Sequence, residues 1–411
     1  MEEREFMKWN NRGHEFDEVY ENIRSCQGFY LFGAGHDGAM VQDILLSRYQ
    51  TIPVLGFLDN DESKQGGIFK GMPVYAPRKA LLSEGAGIIV SFASEMTGEI
   101  DRQLSEMGLV LGKDFWHYEE FLSVVAAYAY DEWFVPSISF IPITACNLRC
   151  EACLNFTTYC SRFEVRPLEE VKADLDLFFA HIDYIGLLLI SGGEPLLYPH
   201  LAECMRYIME RYSSKIYSLE TVTNGTVTPP SAFLEALREL DIKITVDDYR
   251  DALPEYRDSF EKNLELLLKY GGSEKVIPKK YDTWIDLYPY PQKEKTPEEL
   301  TEKYSRCHVP WQEYYKGRLY TCNYASFAAK AGITPPIDAA ETYDLRAHTR
   351  KNVKEAAEFR AGYSQKGYAQ FCRQCAGYVE INPHKVRPAV QKREVGNIAT
   401  GEAAKALVEA G

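Results

Sequence analysis

The 411-residue chain has no apolar run that approaches the length of a membrane span. Its first residues, MEEREFMKWNN, lack the apolar core of a signal peptide. Positive charge is also short: 46 Lys and Arg stand against 60 Asp and Glu, a net charge of −14. A surface of that sign repels phosphate backbones and anionic bilayers, so neither nucleic acid nor a membrane is the expected partner. The simplest expectation is a cytoplasmic protein. Disulfides are rare there, so the ten cysteines read as metal ligands rather than crosslinks. Seven of the ten fall into two groups with metal-like spacing, and Cys26, Cys160 and Cys204 are left over. The length admits two or three domains.

The first group is Cys146, Cys150 and Cys153, spaced C-x3-C-x2-C. It follows Pro136 to Thr144 (PSISFIPIT), an apolar, β-rich run that reads as a buried strand. The thiols are therefore expected on a loop at the strand's C-terminal end, where barrel active sites are built. Three thiolates can hold three irons of a [4Fe-4S] cluster, whose full set is four, and leave one iron open to a ligand. A structural zinc loop is the plainer alternative. About forty residues on, the run Tyr184 to Ser191 ends in Gly192-Gly193-Glu194-Pro195, a tight loop presenting backbone groups and one carboxylate.

These two motifs together resemble the radical SAM superfamily. The resemblance implies that the open iron chelates S-adenosylmethionine. Reductive cleavage then yields a 5′-deoxyadenosyl radical that takes hydrogen from an unactivated C–H bond. It further implies that Gly192, Gly193 and Glu194 meet the cofactor's ammonium, a charge-assisted contact. By the same resemblance Thr223, Asn224, Thr245 and Asp247, at C-terminal strand ends, meet its ribose and carboxylate. A reducing donor such as flavodoxin or ferredoxin is implied as partner. The chain departs from the family at Ala152, where an aromatic residue is usual before the third cysteine. Phe156 and Tyr159 are the aromatic candidates to pack near the adenine in its place.

Strands and helices alternate through this region, the signature of a parallel sheet. Helices are expected at Pro167 to His181, Leu201 to Tyr212, Pro230 to Leu240 and Ser259 to Tyr270. Strands are expected at Ile216 to Thr223, Ile242 to Asp247, near Val276 and at Trp284 to Leu287. About six β/α units imply an α/β fold with a partial (β/α)6 TIM-type barrel, open on one side to its substrate.

The second group is Cys307, Cys322, Cys372 and Cys375, in the pattern C-x9-G-x4-C, a gap, then C-x2-C. Gly317 permits a hairpin (YKGRLYTC) that turns the first pair toward one point. Four thiolates fully ligate one cluster, which then suits electron transfer rather than substrate binding. A four-cysteine zinc site remains the alternative. The pattern resembles the twitch domain, the shortened SPASM extension of radical SAM enzymes, and implies one auxiliary [4Fe-4S] cluster. Among these it resembles the 2-deoxy-scyllo-inosamine dehydrogenase family, which implies oxidation of a secondary alcohol on a sugar-like or cyclitol small molecule. Peptide maturation is the alternative reaction. Sugar epimerisation is another, with Cys160 as the thiol that returns hydrogen. A zinc-stapled nucleotide-binding module is the non-enzymatic alternative.

The N-terminal segment carries its own pattern. Gly28 to Phe32 reads as a strand running into Gly33-Ala34-Gly35-His36-Asp37-Gly38, a G-x-G-x-x-G turn. A helix from about Ala39 to Tyr49 and a strand from Ile52 to Phe57 follow, then Asp59. Further strands are expected at Met72 to Tyr75 and Gly87 to Phe92. Gly33, Gly35 and Gly38 would let backbone approach a phosphate, and Asp59 could take ribose hydroxyls. The FGAG and GFLDN runs resemble the small Rossmann-like domain before some sugar acyltransferases, which implies a nucleotide or nucleotide-sugar ligand. A Rossmann-like domain used for packing, and a nicotinamide site, remain alternatives. The expected organisation is a leader at 1–26, the Rossmann-like domain at 27–120 and a linker helix at 121–135. A barrel at 136–300 and an auxiliary-cluster domain with a C-terminal cap at 301–411 complete it.

Overall fold

The computed structural model describes residues 7–92, 97–288, 294–307 and 311–392. The end of the expected C-terminal cap, 393–411, lies outside them. Two compact units emerge: Trp9–Pro136 with Thr349–Ala361, and Ser137–His348 with Met1–Lys8 and Gly362–Gly411.

In the first unit, α1 (Asp17–Ser25) precedes β1 (Gly28–Phe32), α2 (His36–Ser47) and β2 (Val54–Leu58). Then come β3 (Ile68–Phe69), β4 (Met72–Tyr75), β5 (Ala86–Val90), α3 (Thr97–Glu106), β6 (Phe115–His117) and α4 (Tyr118–Ala129). They form a six-stranded sheet in the order β3-β4-β2-β1-β5-β6, parallel except for β3. β1 is buried at all five positions, as a central strand covered on both faces should be. α2 starts three residues before the expected Ala39, because Gly35 serves as its N-cap and the glycine turn runs directly into it.

The second unit opens with β7 (Phe134–Ile143), buried along its whole length. α5 (Leu168–His181), β8 (Tyr184–Gly192), α6 (Leu201–Tyr212) and β9 (Ile216–Thr223) follow. α7 (Ser231–Glu239), β10 (Ile242–Asp248), α8 (Arg257–Gly271) and β11 (Val276–Lys280) continue the alternation. Val171, Leu175, Phe178 and Phe179 form the buried stripe of α5, at the three- and four-residue spacing of a helix on a sheet. Next come β12 (Trp284–Ile285), α9 (Pro297–Ser305), β13 (Glu313–Tyr315), β14 (Arg318–Tyr320), α10 (Asn323–Lys330) and β15 (Thr342–Asp344).

One sheet takes the order β11-β10-β9-β8-β7-β13-β14-β15. β13 lies parallel to β7, so the open α/β sheet of a partial TIM-type barrel does carry six parallel strands. The sixth is not the expected one. Trp284–Ile285 leaves the sheet and pairs instead, antiparallel, with β16 (Lys385–Val386). A two-residue strand cannot extend the barrel, and the open edge beside β7 is taken by the YKGRLYTC hairpin. Lys316 and Gly317 at its tip both have positive φ, +48° and +77°, as a two-residue hairpin turn of type I′ requires.

A helix in the stretch between Cys322 and Cys372, α11 (Val353–Arg360), packs on α4 in the first unit. Its Glu358, fully buried, accepts hydrogen bonds from Trp9 Nε1 (2.8 Å), Gly13 N (2.7 Å) and Glu15 N (2.9 Å). The domain expected over 301–411 is therefore interrupted, since 349–361 satisfies its apolar face elsewhere. Among the described residues no helix is long and apolar enough to cross a membrane.

Candidate active site

Parallel strands leave their loops at one end, and here the C-terminal ends of β7, β8, β9 and β10 gather the candidate residues. The β7 and β8 loops touch backbone to backbone. Gly193 N donates to Ile143 O (3.1 Å) and Glu194 N to Ala145 O (2.8 Å). Only glycine fits there. A Cβ on Gly192 would stand 2.1 Å from Ile143 O, and one on Gly193 would stand 2.1 Å from Ala145 O. The GGEP loop is thus clamped onto the cysteine loop.

Glu194 is 1% exposed, and both carboxylate oxygens are taken. Oε1 accepts Leu196 N (3.1 Å) and Oε2 accepts Asn224 N (2.9 Å). Burial pushes its carboxyl up to about 7 against the pull of those N–H groups. Its carboxylate pins the GGEP loop to the end of β9, so an ammonium bound here would meet backbone carbonyls. Asn224 carries the link onward: its Nδ2 donates to Asn147 Oδ1 (2.9 Å) and lies 3.9 Å from Cys146 Sγ. Thr223 is buried and accepts Gly225 N on its hydroxyl (3.2 Å).

The three thiols come together, each with a polar neighbour. Cys146 Sγ accepts Leu148 N (3.4 Å), Cys150 Sγ accepts Gln391 Nε2 (3.4 Å), and Cys153 Sγ lies 3.3 Å from Thr157 Oγ1. Burial pushes the Cys146 thiol well up, aided by Glu194 and Cys153. Burial and then Cys153 push Cys150 up to about 12. Three half-buried thiols gathered on one loop suit a cationic centre, and the donor set fits an iron–sulfur cluster with an open iron. Ala152, at the position where the radical SAM resemblance would have an aromatic residue, offers its carbonyl to Trp284 Nε1 (3.1 Å). Phe156 does not stand free for an adenine. It is buried in the core, with its ring 5.3 Å from that of Phe371. Tyr159 packs edge-on to Tyr288, at 6.3 Å.

On β10, Thr245 lies in register with Val222 and Ile277, and Asp247 with Lys279. Tyr249 donates to Asp247 Oδ2 (3.1 Å), while Asp247 Oδ1 is buried without a hydrogen-bond partner. Burial pushes this carboxyl up to about 6, and the Tyr249 hydroxyl, the Lys279 ammonium and the Tyr281 hydroxyl only partly offset it. An orphaned buried carboxylate oxygen at a strand's C-terminal end is what a ligand donor or cation would satisfy.

The second cysteine group also converges. Burial raises the Cys307 thiol strongly, helped by Cys375, Cys372 and Cys322 around it. Cys375 Sγ accepts Gly377 N (3.2 Å). Lys303 Nζ donates to the carbonyls of Cys372 (3.0 Å) and Cys375, which places a cation against the C-x2-C turn. Among the described residues no three His, Cys, Asp or Glu side chains close tightly enough to hold a single metal ion.

Cys160 is set apart from both groups. It is buried, its Sγ faces Phe156 O (3.7 Å), and burial pushes its thiol up to about 11. In the N-terminal unit, Gly33 has φ +119°, and a Cβ on Gly38 would meet Gly33 O at 1.9 Å. Gly35 has nothing within 4 Å of where its Cβ would be. Asp59, expected to take ribose hydroxyls, is already engaged: Oδ2 accepts Ala34 N (2.9 Å) and Lys64 Nζ (2.9 Å).

Sequence reasoning passed over Gln391, Lys303 and the buried Lys330–Glu313 ion pair. Gln391 reaches Cys150 from 241 residues away and sits in no motif, so only the folded chain reveals it.

Residues 140–277 match the family model of the radical SAM superfamily. GTP 3′,8-cyclase 1 of Mycobacterium tuberculosis, in two strains, is 32% identical over 91 residues. That stretch is 21% of this chain and 24% of the relative, so the chain spans about a quarter of the length of the curated relatives it matches. Among solved structures, BtrN in complex with AdoMet and 2-DOIA aligns at 18% identity and TM-score 0.37, over 59% of this chain and 94% of that one. Streptococcus suis SuiB bound to its precursor peptide SuiA aligns at 16% identity and TM-score 0.30, over 47% and 43%.

Proposed function

We propose that the chain is a radical SAM oxidoreductase acting on a secondary alcohol of a small sugar-like or cyclitol molecule. Cys146, Cys150 and Cys153 would hold the catalytic [4Fe-4S] cluster, and the match over 140–277 supports that reading. With the cluster and S-adenosylmethionine bound, the site supplies hydrogen-atom abstraction from an unactivated C–H bond. The chain's part is to hold those groups. Gly192 and Gly193 bring the GGEP carbonyls against the cysteine loop, Glu194 and Asn224 lock that junction, and Asp247 offers an unpaired acceptor.

The convergence of Cys307, Cys322, Cys372 and Cys375 is the observation that carries oxidation over a redox-neutral reaction. Four thiolates would saturate an auxiliary cluster, which could then take up an electron. Phe156, three residues from Cys153, and Phe371, next to Cys372, pack ring to ring in one core with Cys307 and Cys322. That apolar connection suits passage of an electron from the substrate side. Lys303 beside the C-x2-C turn would favour a more negative, reduced centre.

The Gly35 turn at the start of α2 is proposed to bind a nucleotide, since no atom lies within 4 Å of where a Cβ on Gly35 would be. The same fold could serve packing alone. Iron and sulfide content after anaerobic reconstitution tests the proposal. About eight irons in the wild type, falling to about four in Cys307→Ser/Cys322→Ser, is expected for two cubanes. About four irons with zinc retained would make the second site structural and leave a redox-neutral reaction.

A further inference from the structure

The C-terminal segment closes over the cysteine loop. Glu151 N donates to Val390 O (2.7 Å) and Lys392 N donates to Arg149 O (2.8 Å). These two bonds bracket Cys150 in a short antiparallel bridge with Gln391. The segment turns into place at Ala389, whose φ is +57° and whose side chain is buried against Leu148 and Leu253. Gln391 then uses both ends of its amide. Oε1 accepts Arg149 N (2.7 Å), and Nε2 donates to Ala389 O (2.8 Å) and Cys150 Sγ (3.4 Å). The orientation is forced. A flipped amide would set its NH2 against the Arg149 N–H and its oxygen against the Ala389 carbonyl.

From this geometry, and resting on the radical SAM reading above, we infer that Gln391 is a positioning residue for the catalytic cluster. Its amide fixes the Cys150 side chain and donates an N–H···S bond to the sulfur. A donor at a ligand sulfur stabilises the reduced, more negative cluster and raises its potential. The strap also explains how a loop of three crowded thiols keeps its shape. The loop is clamped from the GGEP side by Gly193 and Glu194 and from the far end of the chain by Gln391.

The test compares wild type, Gln391→Leu and Gln391→Glu. Leu removes both amide contacts; Glu can still accept Arg149 N–H but cannot donate to sulfur. Two readouts are needed: the midpoint potential of the paramagnetic signal that S-adenosylmethionine perturbs, and hydrogen exchange at the Arg149 and Glu151 amides. The expected result is a more negative potential in both variants. Exchange at Arg149 should rise at least tenfold in the Leu variant and by less in the Glu variant, which keeps the Arg149 contact but sets a carboxylate oxygen against Ala389 O. Equal potentials and equal exchange in loaded wild type and loaded Leu variant would overturn the inference. Should the Leu variant not take up iron, exchange in the unloaded chains decides: faster at Arg149 and Glu151 supports the strap, and unchanged rates refute it. A wild type that takes up no iron fails differently, because it removes the radical SAM reading on which the inference stands.

Discussion

Asp247→Asn should stabilise the cluster-free chain at neutral pH and leave it unchanged in acid. The carboxyl is pushed up by burial to about 6, from an ordinary 3.8. Below the ordinary value it is neutral in both folded and unfolded chains, so it costs nothing. Between the two values the folded chain binds the proton more tightly, so wild-type stability falls as pH rises through this window. Above about 6 the folded chain holds an ionised carboxylate with one buried oxygen unpaired. About two pKa units amount to about 3 kcal/mol at 1.36 kcal/mol each. Asparagine keeps the shape and does not titrate. The stability difference between variant and wild type should therefore grow by up to about 3 kcal/mol from pH 4 to pH 7. Urea unfolding at the two pH values measures it. Affinity for S-adenosylmethionine, by equilibrium dialysis at pH 7.5, should move the opposite way. A destabilising carboxylate kept at a strand end is the usual mark of a group held for its ligand. A difference independent of pH would refute the burial argument. Unchanged cofactor affinity would refute the assignment of Asp247 to the site.

Gly193→Ala should abolish iron uptake while the N-terminal unit still folds, because the added methyl meets Ala145 O, a backbone atom that cannot step aside; iron content and thermal melting separate the two effects. Phe156→Ala should cost about 3–5 kcal/mol as a buried aromatic truncation, read by chemical denaturation. It should also slow substrate oxidation more than it slows S-adenosylmethionine cleavage, which product assays read separately. Gly35→Asp adds a negative charge where no atom lies in the way, so it should leave the melting temperature unchanged and weaken nucleoside diphosphate binding by at least tenfold in calorimetry. Equal binding in that variant would leave the N-terminal unit a packing domain.

The elements that repeat a local pattern were legible. β1 and β4 fall on the expected residues, and α5, α6 and β9 within one residue, because apolar periodicity and turn residues mark them locally. The cysteine sets were legible from spacing, and Gly317 from the turn it had to make. What could not be read were contacts set by the fold over long separations. The sixth parallel strand is the hairpin at 313–315 rather than 284–285, since the choice depends on which edge of the sheet lies open. Nothing in VKEAAEFR says that α11 returns to the first unit; that follows from where Glu358 finds Trp9, Gly13 and Glu15. Asp59 follows β2, and the fold sets Ala34 N and Lys64 Nζ on its Oδ2, partners that no local pattern marks.

The cysteine loop draws no regular structure from its own sequence beyond a single turn at 157–159, yet the thiols of Cys146 and Cys150 meet partners from outside it. The GGEP backbone fixes its root, Asn224 reaches Cys146, Trp284 holds Ala152, and Gln391 holds Cys150. Those partners come from β8, β9, β12 and the C-terminal segment. A loop held this way is ordered only once the whole second unit has folded, because ordering it earlier would cost backbone entropy with nothing to offset it. A cluster held here would meet a loop already shaped by the folded barrel, in contrast to a zinc finger, whose ligands fold around the metal. The order has a functional consequence. A site assembled from four distant segments responds to movement in any of them, so Trp284 and Gln391 give the edges of the barrel a direct physical connection to Ala152 and Cys150.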